Sequence, residues 1–228
     1  MSNSTKYWVI GVVVIVALGG IAWLITGASS SAFAVDPADR LANWTIPVNI
    51  DASSTALFEA DIASLKSEIG TTTYSAADLY TGIGNDYLTL GQGREAYEYY
   101  GKALAASSTD PVIYDNLGAL FERLYATSTA LKAYAKAVAL APATELYQLA
   151  YLQYLAQAEP EASSTAAAFA AAGEALGTTT PDYLVVRAAW EGVLGDTAAA
   201  VADWQAVRAQ VAPAQQAAID AQIARLRQ

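Results

Sequence analysis

Among its 228 residues the chain has no histidine and no cysteine. That removes the usual general base near neutral pH, the commonest metal ligand, any thiolate site and any disulfide. A nucleophile would have to be serine, threonine or lysine, served by a lysine or a carboxylate. The hydroxyl residues gather instead in short runs, Ser53-Ser54, Ser107-Ser108-Thr109, Thr127-Ser128-Thr129, Ser163-Ser164-Thr165 and Thr178-Thr179-Thr180. Such runs build turns and helix N-caps. Glu95 and Glu98 share a helical face but have no partner that marks acid–base work, so they belong to a solvated face. Gly91-Gln92-Gly93 follows no strand and precedes no Gly-Lys-Ser/Thr, which excludes a phosphate loop. Oxygen-rich calcium loops of the EF-hand type are absent from the sequence. The residues therefore predict no enzyme, no cofactor and no metal.

The elements that carry these residues read as helices. In 112–142 apolar positions recur at spacings of three and four, in two bursts. Tyr114, Leu117, Gly118 and Phe121 form the first; Ala130, Tyr134 and Ala137 form the second, and Pro142 closes the stretch. Gly118 and Ala130 are small where two helices of a hairpin must approach, while the aromatic residues fill the gaps. The stretch 76–111 repeats the pattern with Tyr80, Ile83, Gly84, Tyr87, Ala96, Tyr100 and Ala103, at a distance of 34 residues. A third, degenerate copy spans 143–177, with Tyr147, Tyr151 and Tyr154 ahead of Phe169 and an alanine run. A fourth, from Thr180-Pro181-Asp182, is traced by Tyr183, Trp190, Gly195, Ala200, Trp204 and Pro213. Ahead of them 54–69 reads as an amphipathic helix closed by Gly70, and 214–228 as a final amphipathic helix.

These positions resemble the tetratricopeptide repeat (TPR), whose eight signature residues are all met, in order, in 112–142. The resemblance implies an all-α, right-handed α-solenoid of about four TPR-type helix hairpins with a capping helix, and a partner-binding role. In that family the first helices of the pairs line a concave groove. Carried over position by position, the groove would present Asp78, Thr81, Asn85, Leu88 and Thr89, then Asp115, Ala119, Glu122 and Arg123. The third pair would add Gln148, Leu152 and Leu155. Chaperone-binding members clamp a terminal carboxylate with basic residues there; Thr81, Asp115 and Ala119 depart from that clamp, so its specificity does not transfer. A mildly acidic, partly apolar groove suits a neutral or basic segment. Most tyrosines fall on packing positions, which leaves Tyr97 and Tyr99 for a surface role.

Residues 7–26, YWVIGVVVIVALGGIAWLIT, contain no charge and span about 30 Å as a helix. Tyr7, Trp8 and Trp23 sit where an aromatic belt places them, and Lys6 precedes the segment. The expectation is a cytoplasmic N-terminus (1–6), a transmembrane helix (7–26), a linker (27–54) and an extracytoplasmic solenoid (55–228). A signal-peptidase site after Ala34 is the competing reading and exports the same domain. Net charge is −10, from 22 acids and 12 bases, with no basic stripe, so nucleic acid is not an expected partner. The function expected is a membrane-tethered, non-enzymatic adaptor that recruits protein or peptide partners. Proteins of that layout in the family commonly serve envelope assembly, translocation or pilus machinery. The alternative is a self-assembling subunit of a homo-oligomer or surface filament.

Overall fold

The structure, a computed structural model, describes residues 33–228; the candidate membrane segment at 7–26 lies outside them. No helix among the described residues is long and apolar enough to cross a membrane. They form ten α-helices and one short 3-10 turn, Pro37–Asp39, with a single isolated β-bridge between Thr45 and Gln92. Helix α1 (Ala52–Glu68) leads four pairs: α2 (Ala76–Thr89) with α3 (Gly93–Ala106), and α4 (Pro111–Arg123) with α5 (Thr127–Leu140). Then come α6 (Glu145–Ala158) with α7 (Ser163–Leu176), α8 (Pro181–Val193) with α9 (Thr197–Gln210), and the closing helix α10 (Pro213–Leu226).

Local chemistry starts and stops these helices. Asp51, Ser75, Asp110 and Asp196 accept hydrogen bonds from first-turn N–H groups of α1, α2, α4 and α9. Pro111, Pro181 and Pro213 open α4, α8 and α10, where the missing N–H costs nothing. The turn inside three of the pairs needs one left-handed residue. Gly91 (φ 75°) and Gly195 (φ 77°) supply it in the first and fourth pairs, and Tyr125 (φ 57°) does so in the second.

Glycine sets the closeness of the first two pairs. A Cβ on Gly84 would lie 2.5 Å from the Tyr100 ring, and one on Gly118 would lie 2.5 Å from the Tyr134 ring. Each tyrosine therefore lies flat across the facing helix. In the fourth pair Ala188 and Trp204 keep the same sixteen-residue spacing, with Ala188 buried. This resolves that pair's register: Leu184 and Ala188 face its own core. Tyr183 instead turns to the third pair, where its hydroxyl donates to the Phe169 carbonyl at 2.8 Å. Trp190 stacks on Phe169 at 4.4 Å, again across the boundary.

The third pair is built differently. With Tyr151 where Gly118 would stand, α6 and α7 cannot approach closely, and α6 packs at least as much on α8 as on its own partner α7. Three apolar clusters follow: one through the first two pairs, a second around Leu152, Phe169 and Tyr183, and a third around Leu184, Val207, Ile219 and Ile223.

The stretch expected to be a linker is, from Phe33 onward, part of the folded domain. Residues 33–46 run as a strap along the furrow between α3 and α5, over α4. Phe33 meets the rings of Tyr114 and Phe121, and its carbonyl accepts the Tyr97 hydroxyl at 2.6 Å. Trp44 lies 5.0 Å from the Tyr97 ring, with the Arg94 guanidinium 4.8 Å from its own ring, and Ile46 is buried. The main chain is tied as well: Ile46 donates to Gly91 and Gly93 donates to Trp44. Tyr97 is thus a strap contact and not a free surface residue.

The strap also completes a helix. Ala126, at the N-cap of α5, has no side chain that can cap. Asp39 supplies the missing carboxylate from 90 residues away, accepting from the N–H groups of Ser128 (3.0 Å) and Thr129 (2.7 Å) and from the Thr129 hydroxyl. Its negative charge sits on the positive end of the helix dipole. Asp36 pairs with Lys132 one turn further along.

Candidate binding groove

The first helices α2, α4, α6 and α8 form the inner layer, and their residues divide into those turned into the core and those left facing outward. Asp78 and Thr89 are exposed at opposite ends of α2. Asn85 is exposed too, but its carbonyl oxygen accepts the Tyr100 hydroxyl at 2.8 Å. Leu88 is half-buried, and its carbonyl accepts from the Arg123 guanidinium at 2.9 Å. Asp115, Ala119, Glu122 and Arg123 are half-buried along α4. Glu122 accepts the Tyr134 hydroxyl at 2.7 Å, whereas one oxygen of Asp115 finds no donor. Burial raises the Asp115 carboxyl above the usual carboxylate range.

Four of the expected groove residues offer no surface to a partner. Thr81 is buried and its hydroxyl bonds back to the Ala77 carbonyl. Gln148 is buried, with its amide on the Pro142 carbonyl, and Leu152 and Leu155 are only 0 % and 2 % exposed. On α6, where Tyr151 stands in place of the glycine of the close pairs, Gln148, Leu152 and Leu155 are core, and Gln153 and Gln157 are exposed in their place.

Two hollows open along this layer and share Gln157. The first, about 380 Å³, lies between the α4–α5 turn and the end of α6, lined by Glu122, Arg123, Tyr125, Thr127, Tyr154 and Gln157. The second, about 240 Å³, lies between α6 and α8 and is chiefly apolar, with Ala156, Val185, Val186, Ala189, Trp190 and Val193 around Gln153 and Gln157. Glu122 and Arg123 are the expected residues that the structure brings to a hollow. Tyr125 escapes a reading by type and spacing. It is 87 % exposed in a left-handed conformation that the first and fourth pairs assign to glycine. An unfavourable backbone is retained there without any packing of the side chain to offset it, as happens where a side chain is kept for contact.

Two carboxyl groups, one buried and one half-buried, stand elsewhere in the inner layer. Asp86, at the α1–α2 junction, is pushed up to about 6 by burial and by the Asp61 carboxylate beside it. Glu191 is pushed up to about 7 by burial and by Asp203, against the pull of Arg187. Arg187 is already held by Asp203 through two bonds of 2.6 and 2.5 Å. No grouping among the described residues has the composition of a metal site.

Pairs of antiparallel helices stacked edge to edge at a 34-residue period, with glycine under tyrosine inside each close pair, define a TPR-type α-solenoid. Solved structures carry the same fold. YrrB, described as a TPR protein with an unusual peptide-binding site, superposes with a TM-score of 0.51 at 22% identity, over 68% of this chain and 78% of that one. MamA superposes with a TM-score of 0.55 at 15% identity, over 70% of this chain and 94% of that one. No protein-family model and no curated protein sequence matches the chain.

Proposed function

We propose that the protein is a non-enzymatic adaptor that binds a segment of a partner protein along the inner layer. Residues 7–26 tether it to the cytoplasmic membrane, with the solenoid on the extracytoplasmic side. Tyr125 carries this reading: an exposed aromatic side chain held at a left-handed backbone, on the rim of a hollow that continues into an apolar one. Exposed aromatic anchors beside pockets are the residues that dominate protein–protein binding energy. YrrB's peptide-binding site supports the class of ligand. The acids Glu122 and Asp115 suit a partner segment that is neutral or basic, with an apolar side chain for the α6–α8 hollow.

The test is affinity capture of the tagged full chain from gently solubilised native membranes, with Tyr125→Ala and Ala189→Arg alongside. A stoichiometric second protein, retained by the wild type and lost from both variants, is the expected result. Equal retention by all three refutes the groove. A second reading, self-association into a homo-oligomer or filament, rests on α7, whose outer face exposes Ala166, Ala167, Ala170 and Ala171. Recovery of this chain alone, in large assemblies, would favour it.

A further inference from the structure

The strap fixes where the chain enters the domain, and that position has a consequence for the tethered protein. We infer that the outer helices α3 and α5 form a membrane-apposed surface that rests on anionic phospholipid headgroups, leaving the inner groove turned to the aqueous side. The inference builds on the tether proposed above and adds to it an orientation and a lipid contact.

Length is the first argument. Phe33 is held in the furrow by the Tyr97 hydroxyl and by the rings of Tyr114 and Phe121. Between it and Thr26, the end of the apolar stretch, stand only residues 27–32. Six residues reach at most about 20 Å when fully extended. The furrow therefore stays within about 20 Å of the bilayer surface, which favours the face that carries it as the side turned to the membrane.

Charge is the second argument. All four lysines of the described residues lie on α1, α3 and α5: Lys66, Lys102, Lys132 and Lys136. Helix α5 carries two of them and no acid of its own, in a chain whose net charge is −10; Lys132 is paired with Asp36 of the strap, and Lys136 has no carboxylate partner among the described residues. Lys136 sits over the Tyr114 ring that Phe33 also touches, so it stands at the mouth where the chain leaves the furrow. Lys102 occupies the equivalent position one period earlier, on α3, and is exposed. Arg94 is exposed on the same helix, against Glu95 and Glu98. The inner helix α4 is the opposite, with Asp115 and Glu122 against an Arg123 already engaged by Leu88. A lysine-bearing outer face within a Debye length of anionic headgroups is attracted to them, and an acidic inner face is repelled.

The chain lacks cysteine, so one introduced thiol labels one site. Full-length Ala139→Cys (outer face of α5) and Gln153→Cys (the α6–α8 hollow) are labelled with a donor fluorophore. They are reconstituted in nanodiscs that carry an acceptor on the lipid headgroups. Energy transfer from position 139 is expected to exceed that from position 153 at least twofold. The difference should shrink in neutral lipid, at high salt and in a Lys102→Gln/Lys136→Gln background. Equal or reversed transfer in chains that do co-purify with discs overturns the orientation while the tether stands. Transfer indifferent to lipid charge and to the two lysines overturns the headgroup contact. Failure of the chain to associate with discs at all removes the tether and this inference together.

Discussion

Asp39→Ala tests whether the strap is part of the fold. The carboxylate accepts from two N–H groups and one hydroxyl at the start of α5, whose own N-cap residue, Ala126, can accept nothing. Losing an N-cap acceptor costs about 1 kcal/mol, and removing a negative charge from a helix N-terminus adds about 0.5 kcal/mol. Thr129 is fully buried, so its N–H and its hydroxyl proton are left without an acceptor although its oxygen still accepts the Asp36 N–H, which brings the sum to about 2 kcal/mol. For a domain of this size that lowers Tm by about 4–8 °C. Asp39→Asn keeps one acceptor oxygen for Thr129 but sets an amide NH2 against the Ser128 N–H and loses the charge, so an intermediate cost of about 1 kcal/mol is expected. Thermal and urea unfolding followed by circular dichroism read both variants, with proteolysis at Arg40 as a local probe. The strap would be marginal, and the remote cap irrelevant, if Asp39→Ala unfolded within 1 °C of wild type.

Gly118→Ala pushes a methyl into the Tyr134 ring and is expected to destabilise by about 1–3 kcal/mol, measured by urea unfolding; a neutral effect refutes the close approach. Tyr125→Gly removes a left-handed tyrosine that packs on nothing; it is expected to raise stability by about 0.5 kcal/mol while abolishing partner capture, and a variant that binds normally refutes the role of the ring. Asp86→Asn removes a carboxyl whose folded pKa, about 6, lies above its usual value of 3.8, so the wild type loses stability relative to the variant as pH rises from about 4 to 6. Urea unfolding of both proteins at pH 4, 5, 6 and 7 checks this, and a constant difference between them refutes the raised Asp86 carboxyl.

The first two pairs were legible because their determinants are local. Glycine and tyrosine sixteen residues apart, repeated after 34, specify a close helix pair whatever surrounds it. The strap was not legible, because its partners lie 45 to 96 residues away and follow no period. Polar and small residues between Gly27 and Ser54 read as a linker, while Phe33, Trp44 and Ile46, too few to fold alone, needed the furrow to bury them. The inward turn of Gln148, Leu152 and Leu155 occurs on the helix that carries a bulky residue, Tyr151, where the close pairs keep glycine. Tyr125 was hidden for a different reason: residue type says nothing of a left-handed backbone in a residue that is not glycine. The groove residues of α2 and α4 that remain outward, Asp78, Asn85, Leu88, Thr89, Asp115, Ala119, Glu122 and Arg123, are those in the regular repeats.

The same irregularity explains where the hollows lie. The first two pairs are held by glycine–tyrosine contact and by the strap, which bonds to α3 and to α5 at once. The fourth pair is held by a cluster of Leu184, Val201 and Val207 with Trp204 packed against it, and is covered by Ile219 and Ile223 of α10. Between them α6 and α7 pack loosely, and α6 leans on α8. Stability is unevenly distributed in such a stack, and the joint with the fewest buried contacts opens at the lowest cost. The apolar hollow sits beside that joint, between α6 and α8, and Tyr125 and Glu122 stand on the side of the close second pair. A partner segment laid across Gln157 would meet a fixed rim at one end and an adjustable cleft at the other. Specificity would then come from the rim and tolerance in side-chain size from the cleft.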